Sequence, residues 1–368
     1  MQLNILPTYA QMPRVKVLLA QQASPSVQVW SLESQEGFYL YHVHDTQVLK
    51  REKYTGPTMQ VRHKGSHWYI NGVRIACERI IVAPIAKQVI FESNTYQGFI
   101  LLTRDHHKIC LINCLDLEEY VYAVLRTESW PGWPLEVNKV QAIACRTYVV
   151  SMMMDAKKQK RPYHVKNTNE HQTYAGVHTC PIKKLAVEQT AGLFLSHNNK
   201  PIRAMFDTCC GGVVPARIDG VNFVEAPYLA RNYACTHCKR CKVYSWKAVY
   251  EVKEVEQLIK QQVPHMRNMR SIQITKKDKA GLVREALVHG GKKKHKMPGR
   301  KLYSLLKRVK SFCFGVRTQA DKVIFEGKGY GHHMGLCQWG AREMVRDGWD
   351  YKRILQFYYP ATEFKRLA

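Results

Sequence analysis

Long apolar runs are missing from this chain. No window of eighteen or more residues is apolar throughout, which excludes a membrane-spanning helix. Acidic residues are scarce: 29 Asp and Glu stand against 56 Lys and Arg, a net charge of +27. Such an excess favours a polyanionic partner, whether nucleic acid, an anionic membrane surface or an acidic polymer of the cell wall, and does not choose among them. The opening stretch "MQLNILPTYAQMPRVKVLLAQQASP" lacks a basic region followed by a long apolar one. Its "VKVLLA" is short and alternates with charge, so it reads as a first strand, and the chain as written carries no export address. The basic run "KKKHK" lacks the interleaved aromatics of a single-strand nucleic-acid platform and reads as a solvated loop; nothing else matches a nucleic-acid module. There is no internal repeat and no clear linker.

What is present is the composition of a globular protein, 368 residues of which 45% are apolar. From about residue 13 to 115, short alternating or β-branched runs such as "RVKVLLA", "GFYLYHV" and "KICLINCL" predict a β-rich region, read as a meander, with "ING" at 70–72 as a hairpin signal. The period then becomes helical. "DLEEYVYAVLR" opens with Asp116 and Glu119 spaced as a capping box and places Leu117, Tyr120, Val121, Val124 and Leu125 on one face. After a break at "TESWPGW", Pro134 sits at the first turn of a second helix. Further helices are expected near 182–191, 252–262, 336–347 and 351–358, with a hairpin around "HNNK". The expected class is α+β, β-rich in the N-terminal half, divided into a tail (1–12), a β-rich part (13–115) and a region from 116 to 368, the last two forming one continuous domain.

Two stretches carry chemistry. "TESWPGWP", 127–134, puts one carboxylate, Glu128, between two helices beside Trp130 and Trp133. An apolar aromatic wall desolvates a carboxyl, raises its pKa and fits it for general-acid work, and indole faces also stack on sugar rings. A second carboxylate is not close by in sequence, since Glu118, Glu119 and Glu136 suit helix surfaces and caps; the two-carboxylate glycosidase pattern is absent. "GKGYGHHMGLCQWGA", 327–341, holds five glycines and two adjacent histidines. Glycine at that density implies positive φ or a close approach to the main chain, so the segment is a tight turn or the wall of a binding groove.

"LEEYVYAVLRTESWPGWPLEVNKVQAIACRTY" resembles the first signature of the SpoIID/LytB family, an "EEYL-GVV--EM" helix end followed by a proline turn, a helix and "ARTY". The glycine-rich stretch is similar to that family's second signature, "GRGWGHGVGMSQYGA", with His333 in place of a glycine and Lys328 in place of Arg. "EHQTYAG", "FDTCCGG", "APYL", "VKSFCF" and "YKRILQFYYPATEF" fall in family order between and after them. The resemblance implies a peptidoglycan lytic transglycosylase acting on glycan strands stripped of stem peptides, with helices packed around a glycan-binding groove. Glu128 takes the catalytic position, with Ser129 where the family has Met. Trp130, Trp133, Arg146, Tyr148, Gly329, Tyr330, Gly331, His332, Gln338 and Trp339 are the implied substrate contacts, with backbone N–H and C=O groups of the glycine segment bonding the saccharide and His333 expected to narrow the groove or demand a strained φ. The implied partners are peptidoglycan and a cell-wall amidase acting upstream, with no nucleic acid and at most a peripheral membrane association; the implied location is extracytoplasmic. A non-catalytic glycan-binding enhancer of an amidase is the alternative.

Twelve cysteines is a high count, and five are clustered: Cys209 and Cys210 adjacent, and Cys235, Cys238 and Cys241 spaced as C-x2-C-x2-C. With His171 or Cys210 the latter three are candidates for one structural zinc. Some family members carry zinc near "HCQ-Y-G" and "STCGG"; here His171 stands where that pattern has Cys and Glu170 where it has His, while Cys210 keeps its cysteine. A disulfide pair and reduced thiols without a role are the other two readings.

Overall fold

The computed structural model describes residues 13–23, 29–45, 47–291 and 293–367; the tail assigned to 1–12 lies outside them. The fold is α+β, and contacts divide the chain into two units, Met1–Arg203 with Phe364–Ala368, and Ala204–Glu363. The helices that follow residue 116 pack onto the strands before it, so both sides of that change of pattern lie in the first unit.

In the first unit, period-2 alternation makes the strands. Thr58–Lys64 alternates exposed and buried residues without interruption, placing Met59, Val61 and His63 inward. Lys108–Asp116 is buried along nearly its whole length, as a strand covered on both faces must be. It pairs antiparallel with Arg14–Ala23 on one side and Phe99–Asp105 on the other. The region is not a simple meander. Two sheets form, one running Val165–Lys166, Arg14–Ala23, Lys108–Asp116, Phe99–Asp105, Arg79–Pro84, Phe38–His44, Gln47–Tyr54, the other Asn94–Gln97, Gln88–Phe91, Trp30–Glu33, Thr58–Lys64, His67–Ile70, Val73–Ile75. The "ING" hairpin forms as expected, with Asn71 and Gly72 at φ 48° and 84° between paired Ile70 and Val73. Three helices follow: α1 (Leu117–Glu128), α2 (Leu135–Lys158) and α3 (Pro181–Gln189).

The second unit carries α4 (Val252–Lys260), α5 (Gly299–Leu305), α6 (Gln338–Arg346) and α7 (Tyr351–Tyr358). Its core gathers Tyr250, Val255, Ile259, Leu302, Phe314, Val323 and Phe325. Each large apolar side chain buried there contributes roughly 1.5–3 kcal/mol. The basic run corrects the sequence reading. It is the edge strand Lys293–Pro298, paired antiparallel with Val283–Gly290, and it leads directly into α5. Met297 is its inward anchor, while the exposed lysines keep an open sheet edge from recruiting another chain. Among the described residues no helix is long and apolar enough to cross a membrane.

Candidate functional site

The carboxylate site is built by the end of α1. Asp116 caps its start, accepting the Glu118 N–H at 2.8 Å, and the five-residue apolar stripe read from the sequence is buried throughout. At Ser129 the backbone turns extended, and Pro131 and Pro134 cannot continue a helix, so Glu128 is the last helical residue. The loop that follows is bolted from two sides. Asn138 on α2 donates to the carbonyls of Trp133 (2.8 Å) and Pro134 (3.0 Å) and accepts the Ser129 hydroxyl at 2.7 Å. Lys183 on α3, buried, donates its ammonium to the carbonyls of Leu125 (2.6 Å) and Ser129 (2.9 Å), where the negative end of the α1 dipole welcomes a cation.

Glu128 itself is half-buried. Burial pushes its carboxyl above the ordinary value of 4.5, and the main-chain and side-chain hydrogen bonds from Thr173 work against that rise. The Thr173 N–H donates to Oε1 at 2.7 Å, which fixes one oxygen. Tyr120 and Cys145 lie near enough to feel its charge, and Gln172 joins them, accepting the Tyr120 hydroxyl at 3.0 Å and donating to the Cys145 carbonyl at 3.4 Å. Trp130 and Trp133 stack with ring centroids 6.4 Å apart. Only Trp130 presents a face to solvent, at 36% exposure against 5% for Trp133.

Other predicted contacts are placed differently. Arg146 is fully buried; its guanidinium takes both oxygens of Glu118, at 2.8 and 2.5 Å, and the carbonyl of Leu193 at 3.1 Å. Its charge is neutralised inside and it offers no exposed surface, so the bonds it makes are ties within the fold. Tyr148 is half-buried against the edge of the His171 ring. Thr173, Asn138 and Lys183 escaped the sequence reading; a buried lysine at a helix end shows no local pattern.

The glycine-rich segment lies in the second unit. Its glycines answer to the protein's own atoms: a Cβ on Gly331, at φ 130°, would stand 2.3 Å from the Cβ of Asp207, and one on Gly335, at φ 70°, 1.9 Å from the Met205 carbonyl. Its donors are spent inward too. The N–H groups of Gly329, Tyr330 and Gly331 go to the carbonyls of Tyr244, Cys209 and Lys310 at 2.7, 2.7 and 3.0 Å, and that of Leu336 to Met205 at 3.0 Å. These N–H groups are therefore closed to a saccharide. His332 accepts the Met334 N–H on Nδ1 at 3.1 Å and bonds the Phe206 carbonyl, and burial drives its pKa down to about 4, so the ring is neutral. His333 does adopt a left-handed backbone, φ 69°, as its bulk at a glycine position predicted, but its ring turns into the core and bonds the Cys210 carbonyl through Nδ1 at 2.9 Å, so this side chain lines no groove. Its N–H donates at 2.7 Å to Asp207, a buried carboxyl that burial holds well above the usual range. Gln338 is buried at the start of α6, and Trp339 is half-buried under the Arg342 guanidinium. Tyr330 remains the ring that faces solvent, 37% exposed, with the Lys310 ammonium 5.2 Å from its centroid.

The cysteine grouping is also redrawn. The Sγ atoms of Cys210, Cys235, Cys238 and Cys337 lie within 4.8 Å of one another, all buried. Cys241 instead approaches Cys209, Sγ to Sγ 3.5 Å, and His171 belongs to the first unit, outside the group of four sulfurs. Cys337, outside the five cysteines clustered in the sequence, completes the set because the segment 336–337 pairs with 206–207 beside Cys210.

The geometry thus places a desolvated carboxyl at the end of α1, in the unit that also carries the stacked indoles. The chain matches the family described as "Stage II sporulation protein" over residues 105–197, which include Glu128, and a domain of unknown function, DUF8618, over residues 228–335. It is 30% identical to an uncharacterized protein of Brachyspira hyodysenteriae over 271 residues, 73% of this chain and 72% of that protein. It is 26% identical to stage II sporulation protein D of Bacillus subtilis, over 68% of this chain and 74% of that one. It is 25% identical to the amidase enhancer of the same organism, over 65% of this chain and 39% of that protein. The chain belongs to the SpoIID/LytB family, and its role is cell-wall related.

Proposed function

We propose that the protein is a lytic transglycosylase that cleaves peptidoglycan glycan strands denuded of stem peptides, with Glu128 as its one acid–base group. The observation that supports this most is the setting of that carboxyl: burial favours its protonated form, and the Thr173 N–H orients one oxygen. The protonated acid gives its proton to the glycosidic oxygen as the bond to muramic acid C1 breaks. The carboxylate then takes the proton of that sugar's C6 hydroxyl as its oxygen bonds to C1, giving a 1,6-anhydro end. The nucleophile is the substrate's own, water is not consumed, and one carboxyl suffices. The exposed Trp130 ring, in the same unit as Glu128, supplies a platform for a sugar ring. The charge of +27 suits a strand whose every muramic acid keeps a lactyl carboxylate. An amidase upstream and an extracytoplasmic location follow from that substrate.

The likeness to an amidase enhancer supports a second reading, a glycan-binding activator without catalysis. Mass spectrometry of denuded strands incubated with the wild type and with Glu128→Gln separates the two. Anhydro-muramoyl ends from the wild type alone, with a loss of about 10²–10⁴-fold in the variant, are expected. Equal cleavage by both would remove Glu128 from the chemistry. Strand binding with no cleavage by either, accompanied by stimulation of a purified amidase, would establish the activator.

A further inference from the structure

We propose that Cys210, Cys235, Cys238 and Cys337 hold one divalent metal ion of zinc's class as a tetrathiolate, and that this ion anchors the glycine-rich segment. The geometry is that of a single coordination sphere. Cys210 and Cys238 stand with their sulfurs 3.7 Å apart; metal–sulfur bonds of about 2.3 Å in a tetrahedron place ligand sulfurs roughly 3.8 Å apart. Four sulfurs mutually within 4.8 Å enclose one ion and leave no room for the bridging sulfides of a cluster. The four side chains are closed to solvent, at 1% exposure for Cys210 and 0% for the other three.

The surroundings are arranged for thiolate. The N–H groups of Cys210 and Gly340 both point at the Cys337 sulfur, at 3.2 and 3.3 Å, and the Tyr358 hydroxyl lies 3.1 Å from that of Cys235. Donors of this kind orient metal-bound sulfur and disperse its charge. Cys337 is also the N-cap of α6, at the positive end of the helix dipole. Gly340 is explained by the same centre. It sits in the first turn of α6, where glycine is a poor helix former, and a Cβ there would stand 2.0 Å from the Tyr358 oxygen, 2.9 Å from the Cys235 sulfur and 3.2 Å from that of Cys337. The sulfurs and their neighbours leave no space for a methyl group.

The ligands come from three separate pieces of chain: the Cys210 loop, the 235–241 turn and the exit of the glycine-rich segment. That segment is tied again through the His333 bond to the Cys210 carbonyl. Metal affinity is therefore folding free energy for the segment.

The test uses the full chain purified under reducing conditions. Metal analysis is expected to give about one zinc per chain, and Co(II) exchange the absorption of a tetrahedral tetrathiolate. Cys210→Ser and Cys337→Ser are expected to cut the bound metal at least tenfold, while Cys241→Ser and His171→Ala keep one equivalent. Should the serine variants fail to fold, the wild type answers alone: stripping it with a chelator is expected to raise amide exchange across 327–341, and readdition of zinc to reverse it. A reduced wild type that neither carries zinc nor takes up Co(II), alkylation mapping that finds the four cysteines paired as disulfides, or metal that depends on Cys241 and not on Cys337 would overturn the proposal.

Discussion

Replacing Arg146 with methionine tests whether that residue serves the fold or the substrate. Methionine fills much of the same volume and removes the guanidinium, which is fully buried and divides its donors between both oxygens of Glu118 and the Leu193 carbonyl. The loss strands Glu118, whose side chain is 19% exposed. Breaking one side of a buried ion pair costs about 3–5 kcal/mol. Glu118 keeps the Gly192 N–H at 3.0 Å and some access to water, which argues for the lower end, about 3 kcal/mol. In a unit of about two hundred residues that lowers Tm by roughly 6–12 °C. Calorimetry and urea unfolding of wild type, Arg146→Met, Glu118→Gln and the double variant measure it. The double variant is expected to recover part of the loss, because the uncompensated charge is gone. Stability within about 0.5 kcal/mol of wild type, together with a lost affinity for glycan, would refute the reasoning and restore Arg146 as a substrate contact.

Glu128 makes the first unit's stability pH-dependent. Its folded pKa lies above the unfolded value of 4.5, so the folded state holds a proton that the unfolded chain has released, and stability present below 4.5 is lost as pH rises through the folded value. Glu128→Gln is therefore expected to be more stable than wild type at neutral pH and to converge with it near pH 4, by denaturant unfolding across that range; an unchanged difference at every pH would contradict the burial. Lys183→Met removes two carbonyl partners at the end of α1 and is expected to cost about 1–3 kcal/mol. Because Leu125 and Ser129 bracket Glu128, its cleavage rate should fall more than its strand affinity; a stable variant with unaltered turnover would show that Lys183 does not position the loop.

How much was legible in advance follows the reach of the interactions concerned. The cap at Asp116, the α1 stripe, the Asn71–Gly72 turn and the break at the two prolines are set by residues within a few positions of one another, and each was readable. Lys293–Pro298 was not, because lysines that blunt a sheet edge spell the same text as a solvated loop. The glycine-rich segment shows the deeper reason. Its composition announces a close approach but not by what, and for Gly329, Gly331 and Gly335 the answer, the strip from Met205 to Cys210, lies more than a hundred residues earlier. The same non-local accounting decides Arg146, His332 and Cys337: a motif names the polar residue, while only the fold shows whether its bonding capacity is already used. Once that accounting is done, the aromatic rings of Trp130 and Tyr330 are the most exposed of the predicted contacts. Stacking of a sugar ring on exposed aromatic faces needs little from backbone donors, so the inward-turned donors of this segment are compatible with the proposed glycan substrate.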